Sequence, residues 1–248
     1  MTGSIALVGA GPGAADLLTL RALNRIKAAD VIYYDRLIDP QILEFARPDT
    51  ERVFTGKHVG AHSWPQERIC TVIVAAALAG KRVVRLKSGD PGVFGRATEE
   101  LDAARAHGIE IELVPGVTAA SAAAVSLGRA LTERGQTDHL VIATGTCKPG
   151  DPPPDWAALI RPGTVLALYM AVRAARDMRA ALLAAGVPSS LEVQAVSEAT
   201  TPRERAITTT LAHLPEAMET GRISNPAILF LRWPKQAQPA QILPLVAE

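Results

Sequence analysis

The chain has 248 residues, 48% of them hydrophobic, enough to bury a core in one large domain or two compact ones. Lys and Arg number 26 against 25 Asp and Glu, and the formal charge of +1 excludes a global electrostatic case for nucleic acid, a membrane surface or a bulk polyanion. Cys70 and Cys147 have no paired spacing, the longest apolar run (Val72 to Ala79) is far short of the ~20 residues that span a bilayer, and MTGSIALVGAG lacks a basic leader pattern. These features predict a soluble, cytoplasmic protein without a disulfide framework, signal peptide or membrane span.

In chain order, short β-branched runs predict strands at Ile5 to Val8, Val31 to Tyr34, Arg52 to Phe54, Val83 to Leu86 and Ile111 to Val114. Longer Ala- and Leu-rich amphipathic runs separate them, the pattern of an α/β protein with a mainly parallel sheet covered on both faces. Asp16 is the expected N-cap of the first helix, with Leu17, Leu20, Leu23 and Ile26 behind it at helical spacing. A second unit follows, with strands at Leu140 to Ala143, Val165 to Tyr169, Val193 to Val196, Ala206 to Thr209 and Ala227 to Leu231. The expected division is an N-terminal α/β domain over residues 1–117, a C-terminal α/β domain over 118–234 and a tail over 235–248 in which Ile242, Leu243, Leu245 and Val246 are able to dock. Lys148 to Trp156, KPGDPPPDW, is too proline-rich for a helix or interior strand and reads as an exposed loop.

Three loops stand at predicted strand ends, where ligands of open α/β sheets bind. Gly9 to Ala14, GAGPGA, formally satisfies a dinucleotide fingerprint, with Asp30 or Asp35 as its later acidic residue, and a nicotinamide-dependent oxidoreductase is one reading. Pro12 opposes it, because proline removes an N–H that a pyrophosphate would use, and a plain tight turn is an equal alternative. Lys87 to Arg96 carries three glycines and Asp90, either a ligand acceptor or a turn residue before proline. Pro115 to Ser121 opens a small-residue helix. His58 and His62 have a spacing that would share a helix face for a metal, but Gly56 and Gly60 oppose a helix and no third ligand is present, so no metal site is expected.

Beyond these loops the chain carries YDRL at Tyr34 to Leu37, GDPxVFGR at Gly89 to Arg96, PGVTAA at Pro115 to Ala120, LTERG at Leu131 to Gly135, Tyr169-Met170, EATTP at Glu198 to Pro202 and NPA at Asn225 to Ala227. In this order, from about Ser4 to Leu231, the motifs resemble those of the tetrapyrrole methylase family, closest in pattern to the uroporphyrinogen-III C-methyltransferases. The resemblance implies two α/β domains with an active-site trough between them, a homodimer, and S-adenosylmethionine as methyl donor for conversion of uroporphyrinogen III to precorrin-2. It implies cofactor contacts from Pro12, Ser88, Gly89, Asp90, Val93, Thr118 and Ala119, with Met170, Ala199 and Ala227 contributed by the second domain.

The same resemblance makes Asp35 and Lys57 the proton acceptor and donor, with Glu99 a competing base, and Arg96, Arg134 and Arg36 binders of the substrate's carboxylates. Without it, Asp35 reads equally as a loop-capping carboxylate and each arginine as a surface ion-pair partner. Ser88, Gly92 and Glu133 depart from the nearest relatives' usual glycine, bulky residue and histidine. A methyltransferase acting on a later precorrin is therefore the alternative within enzymes, and a nonenzymatic adenosylmethionine sensor the alternative outside them.

Overall fold

The computed structural model describes residues 2–56, 64–147 and 150–235. Each of the ten predicted strands is present and extends its predicted run by no more than a few residues. The chain divides into two compact units, one reaching Ala122 and adding Ala199–Pro202, the other formed by Ala123–Glu198 and the chain from Arg203 onward.

The first unit holds β1 (Ser4–Gly9), β2 (Val31–Tyr34), β3 (Glu51–Phe54), β4 (Arg82–Lys87) and β5 (Glu110–Val114), in the order β3-β2-β4-β1-β5 with every pair parallel. Parallel strands need crossovers, supplied by α1 (Leu20–Ala28), α2 (Pro40–Glu44), α3 (Gln66–Leu78) and α4 (Ala97–Ala106). Side chains alternate across the sheet. Ala6, Val8, Ile32, Val84 and Leu86 pack with Ala22, Ile26 and Ile42 of α1 and α2, while Ile5, Leu7, Val31 and Val83 pack with Ile69, Ile73 and Ala104 of α3 and α4. α5 (Ala119–Ser126) contains the point where the contacts divide, so the boundary expected after Val117 precedes it.

Asp16 does not cap α1. It lies in a short 3-10 turn, Ala15–Leu17, and the cap is Thr19, whose Oγ1 accepts the Ala22 N–H at 3.1 Å. The shift leaves Leu20 81% exposed and makes Ala22 and Ile26 the buried face.

The second unit contains β6 (His139–Thr144), β7 (Thr164–Tyr169), β8 (Glu192–Ser197), β9 (Arg205–Thr210) and β10 (Ala227–Trp233), ordered β6-β7-β10-β8-β9. Its sheet is mixed rather than mainly parallel: β6 and β7 run parallel, and the other three pairs are antiparallel. The short connection between β8 and β9 cannot carry a crossover helix and so returns antiparallel. Helices α6 (Ala175–Ala184) and α7 (Leu214–Thr220) cover a core of Leu166, Leu168, Val193, Leu229 and Leu231 with Met178, Leu182 and Met218. Of the proline-rich loop, residues 150–153 and Asp155 are exposed as expected, while Trp156 at its end is buried in that core. Lys148 and the tail from 236 onward lie outside the described residues. Among the described residues no helix is long and apolar enough to cross a membrane.

At the N-terminal edge of the first sheet, Asp30 accepts from Arg82 Nη2 at 2.6 Å, Arg82 Nε at 3.0 Å, the Arg82 N–H at 2.8 Å and Arg47 Nη2 at 3.1 Å. The Arg82 bonds, foremost, hold its carboxyl far below the usual carboxylate range. A lowered folded-state value stabilises above the unfolded value of ~4 and loses that contribution as pH falls toward the folded value. Asp30→Asn is expected to cost about 1 kcal/mol at neutral pH, the small figure reflecting a partly exposed pair. Urea titrations from pH 7 to 3 should show the gap between wild type and variant narrowing below about pH 4; a constant gap refutes the assignment.

Candidate active site

Because β4, β1 and β5 are adjacent and parallel, the loops that follow them emerge side by side. They are joined through main chain. The Ala10 N–H donates to the Lys87 carbonyl at 2.8 Å, and Gly11 and Gly89 exchange N–H to carbonyl bonds of 3.2 and 2.7 Å. A Cβ on Gly9 would lie 2.6 Å from the Gly116 nitrogen, and one on Gly116 would collide with the Gly89 carbonyl, so these positions admit only glycine. The Asp90 carboxylate locks the arrangement, accepting the Gly92 N–H at 2.7 Å and the Gly116 N–H at 3.0 Å. Asp90 thus ties the second loop to the third. On the outer side, the Ala14 N–H donates to Thr200 Oγ1 at 3.0 Å, which draws the Ala199–Pro202 turn onto the first loop. Ala199, expected in the second domain, therefore packs with the first unit, because Gly13 leaves room for Thr201 there.

Asp35 follows β2, next to β4, at the same edge. Arg85 Nη2 donates to both its oxygens, at 2.8 and 2.7 Å, and Thr55 Oγ1 donates to one at 3.2 Å. Arg85 is 2% exposed and its Nε donates to Oε1 of Glu100, which is fully buried. Lys87 Nζ donates to both Glu100 oxygens at 3.0 and 2.9 Å, and Gln66 Nε2 adds a 3.0 Å bond. Burial, then the charge of Arg85, pushes the Lys87 ammonium down, against the pull of Glu100. Asp30, the other acidic candidate for a dinucleotide ribose, precedes β2 and so stands at the opposite edge of the sheet.

The sequence pattern of the tetrapyrrole (corrin/porphyrin) methylases matches residues 4–215. The chain belongs to that family. The siroheme synthase of Tolumonas auensis is 46% identical over 214 residues, 86% of this chain and 46% of that protein. That of Azotobacter vinelandii is 42% identical over 229 residues, 92% of this chain and 49% of its own length. This methylase thus spans about half the length of the curated relatives it matches. Among solved structures, a uroporphyrin-III C-methyl transferase from Thermus thermophilus, complexed with S-adenyl homocysteine, is 36% identical with a TM-score of 0.78, covering 93% of this chain and 97% of that one. A cobalt precorrin-4 methyltransferase has a TM-score of 0.83 at 28% identity, covering 93% and 95%.

In this methylase Arg96 and Glu99 bond each other, Nε to Oε2 at 2.8 Å and Nη2 to Oε1 at 3.0 Å, on the exposed side of α4. Arg36 and Arg134 are exposed and form no ion pair with another described residue. Lys57, His58 and His62 lie outside the described residues, and among the described ones no group of three His, Cys, Asp or Glu side chains is placed to hold a metal. Ser88, Val93, Thr118 and Ala119 are partly accessible on the second and third loops, as is Pro12 on the first. In the second unit Met170 directly follows β7, 43% exposed, and Ala227 starts β10 beside that strand end, since Ile228 pairs with Tyr169. Phe94, Arg96, Met170, Glu198 and Thr200 all have φ between 48° and 67°, a costly conformation for residues with side chains, and all five fall in the recognised motifs.

Sequence reasoning missed Arg85, Lys87, Glu100 and Gln66. A signal was present: Arg85 and Lys87 alternate with Val84 and Leu86 in a strand of a parallel sheet covered on both faces, where a charge has to be paired. Its partners come from α3 and α4, which sequence alone does not align.

Proposed function

We propose that this methylase uses S-adenosylmethionine to methylate uroporphyrinogen III at C2 and C7, giving precorrin-2, and that it acts as a homodimer. The observation that carries the reading is the backbone-to-backbone meeting of the β1, β4 and β5 loops. A Cβ on Gly89, whose φ is +69°, would meet only the Ala119 nitrogen, at 3.8 Å, so the cradle keeps open space against main chain. That suits a cofactor bound through backbone groups and small side chains. The likeness to the Thermus transferase complexed with S-adenyl homocysteine supports the donor, and the names of that transferase and of the siroheme synthases support the substrate class.

The donor supplies a methyl group already activated by its sulfonium charge. The protein's share is alignment of that group with a pyrrole carbon and management of the proton transfers that accompany methylation. In this reading Pro12, Ser88, Gly89, Val93, Thr118 and Ala119 line the cofactor cradle, Asp90 fixes its loops, and Met170, Ala199 and Ala227 add the contacts implied by the family pattern. Asp35 accepts the proton whose loss from the pyrrole nitrogen raises the nucleophilicity of the ring carbon; Lys57 is the proton donor. Arg36, Arg96 and Arg134 bind substrate carboxylates through planar bidentate donors, Arg96 exchanging Glu99 for the substrate.

Anaerobic incubation with uroporphyrinogen III and methyl-labelled adenosylmethionine tests the whole reading: transfer of two methyl groups supports it. Cofactor binding without transfer favours the second reading, methylation of a later precorrin, which the likeness to the cobalt precorrin-4 methyltransferase and Ser88 keep open. By calorimetry, Asp90→Ala should weaken cofactor binding roughly tenfold by releasing the loop, the equivalent of its two lost hydrogen bonds. Arg134→Ala should leave cofactor affinity unchanged and raise KM for the tetrapyrrole roughly tenfold. The reverse pattern overturns this map.

A further inference from the structure

We propose that Glu100 is a positioning residue for methyl transfer: by anchoring Arg85 and Lys87 beneath the sheet edge, it fixes the guanidinium that presents Asp35 to the substrate. The inference rests on Asp35 being the proton acceptor. The Arg85 side chain has no spare nitrogen. Its Nε donates to Glu100 at 3.1 Å, Nη1 to the carbonyls of Tyr33 at 3.4 Å and Leu86 at 3.1 Å, and Nη2 to both Asp35 oxygens. Only one orientation satisfies all three nitrogens, and Glu100 supplies the acceptor for Nε.

Glu100 Oε1 receives Arg85, Lys87 and Gln66, and Oε2 receives Lys87 again. Two cations, Arg85 and Lys87, face two anions, Glu100 and Asp35, so the cluster is neutral as a whole. Among the described residues, the other groups packed around it are Cys70 and Gln66 of α3, Thr55 after β3 and Glu99 on the outward side of α4. Stability alone gives a weak reason for such a cluster, since buried ion pairs are often matched by apolar residues of similar volume. A fixed orientation at the reacting edge is a reason apolar packing does not supply.

Glu100→Gln keeps the size and one acceptor oxygen but removes the charge and turns an amide N–H toward Lys87. With uroporphyrinogen III as substrate, kcat is expected to fall roughly 10- to 100-fold with KM and cofactor affinity little changed, since loss of alignment acts on the chemical step. In an Asp35→Asn background the same change should cost nothing more, because both act through one carboxylate. Adding Lys87→Met to Glu100→Gln restores the charge count and should recover part of kcat. Equal losses in both backgrounds, or no recovery, overturn the proposal in favour of a purely structural role. A second readout needs no turnover: ¹⁵N-arginine NMR should show a slowly exchanging Arg85 Nε–H in wild type that exchanges rapidly in Glu100→Gln and remains slow in Asp90→Ala. An unchanged Arg85 signal in Glu100→Gln refutes the anchor. If wild type fails to methylate uroporphyrinogen III, the substrate assignment falls, while the Arg85 signal still decides the role of Glu100.

Discussion

Replacing Arg85 with methionine should cost about 3–5 kcal/mol of stability, the range for removing one partner of a buried charge pair. Methionine fills much of the volume, so the loss reports charge rather than a cavity. Glu100 would keep Lys87 and Gln66, but its Oε1 would lose the Arg85 Nε–H, and Asp35 would keep only the Thr55 hydroxyl. For a chain of this size the shift in Tm is on the order of 6–20 °C. Arg85→Lys should fall between, since an ammonium cannot reach both carboxylates with the geometry of a planar fork. Thermal unfolding measured with both variants checks this; a loss below about 1 kcal/mol for Arg85→Met would show that water or side-chain rearrangement satisfies the cluster.

Asp35→Asn carries the largest expected effect on activity, a roughly 10²- to 10⁴-fold fall in kcat, the usual contribution of a positioned general base. The amide is nearly isosteric and keeps one acceptor for Arg85 Nη2, so cofactor affinity should change little. The measurement is single-turnover methyl transfer, with cofactor binding followed on the same sample. Retention of more than about a tenth of wild-type kcat would remove Asp35 from the proton path and turn attention to Glu99, the competing carboxylate. Asp35 then would be what its geometry alone also permits, a loop carboxylate held by Arg85 and Thr55.

Much of the fold is legible in the residues themselves. A parallel sheet buried on both faces demands short β-branched runs, and VIYY of β2 or RVVRLK of β4 cannot be read otherwise. The glycine-bearing loops announce themselves because close main-chain approach tolerates few side chains. The start of α1 is ambiguous in sequence because Asp16 and Thr19 are both acceptable caps, and the 3-10 turn Ala15–Leu17 selects the second. Strand direction in the second sheet is not legible in the same way, because hydrophobic runs specify burial, not which neighbour a strand pairs with.

Local residue order thus determines the strands, the three loops and the family motifs, since each depends on neighbours a few positions away. Only the tertiary structure decides that Asp90 bonds Gly116, that Thr200 reaches Ala14, and that Asp35, Arg85, Glu100 and Lys87 form one neutral cluster. Those pairings join separate strands and helices, and a charge in a low-dielectric interior takes whichever opposite charge the packing brings within reach.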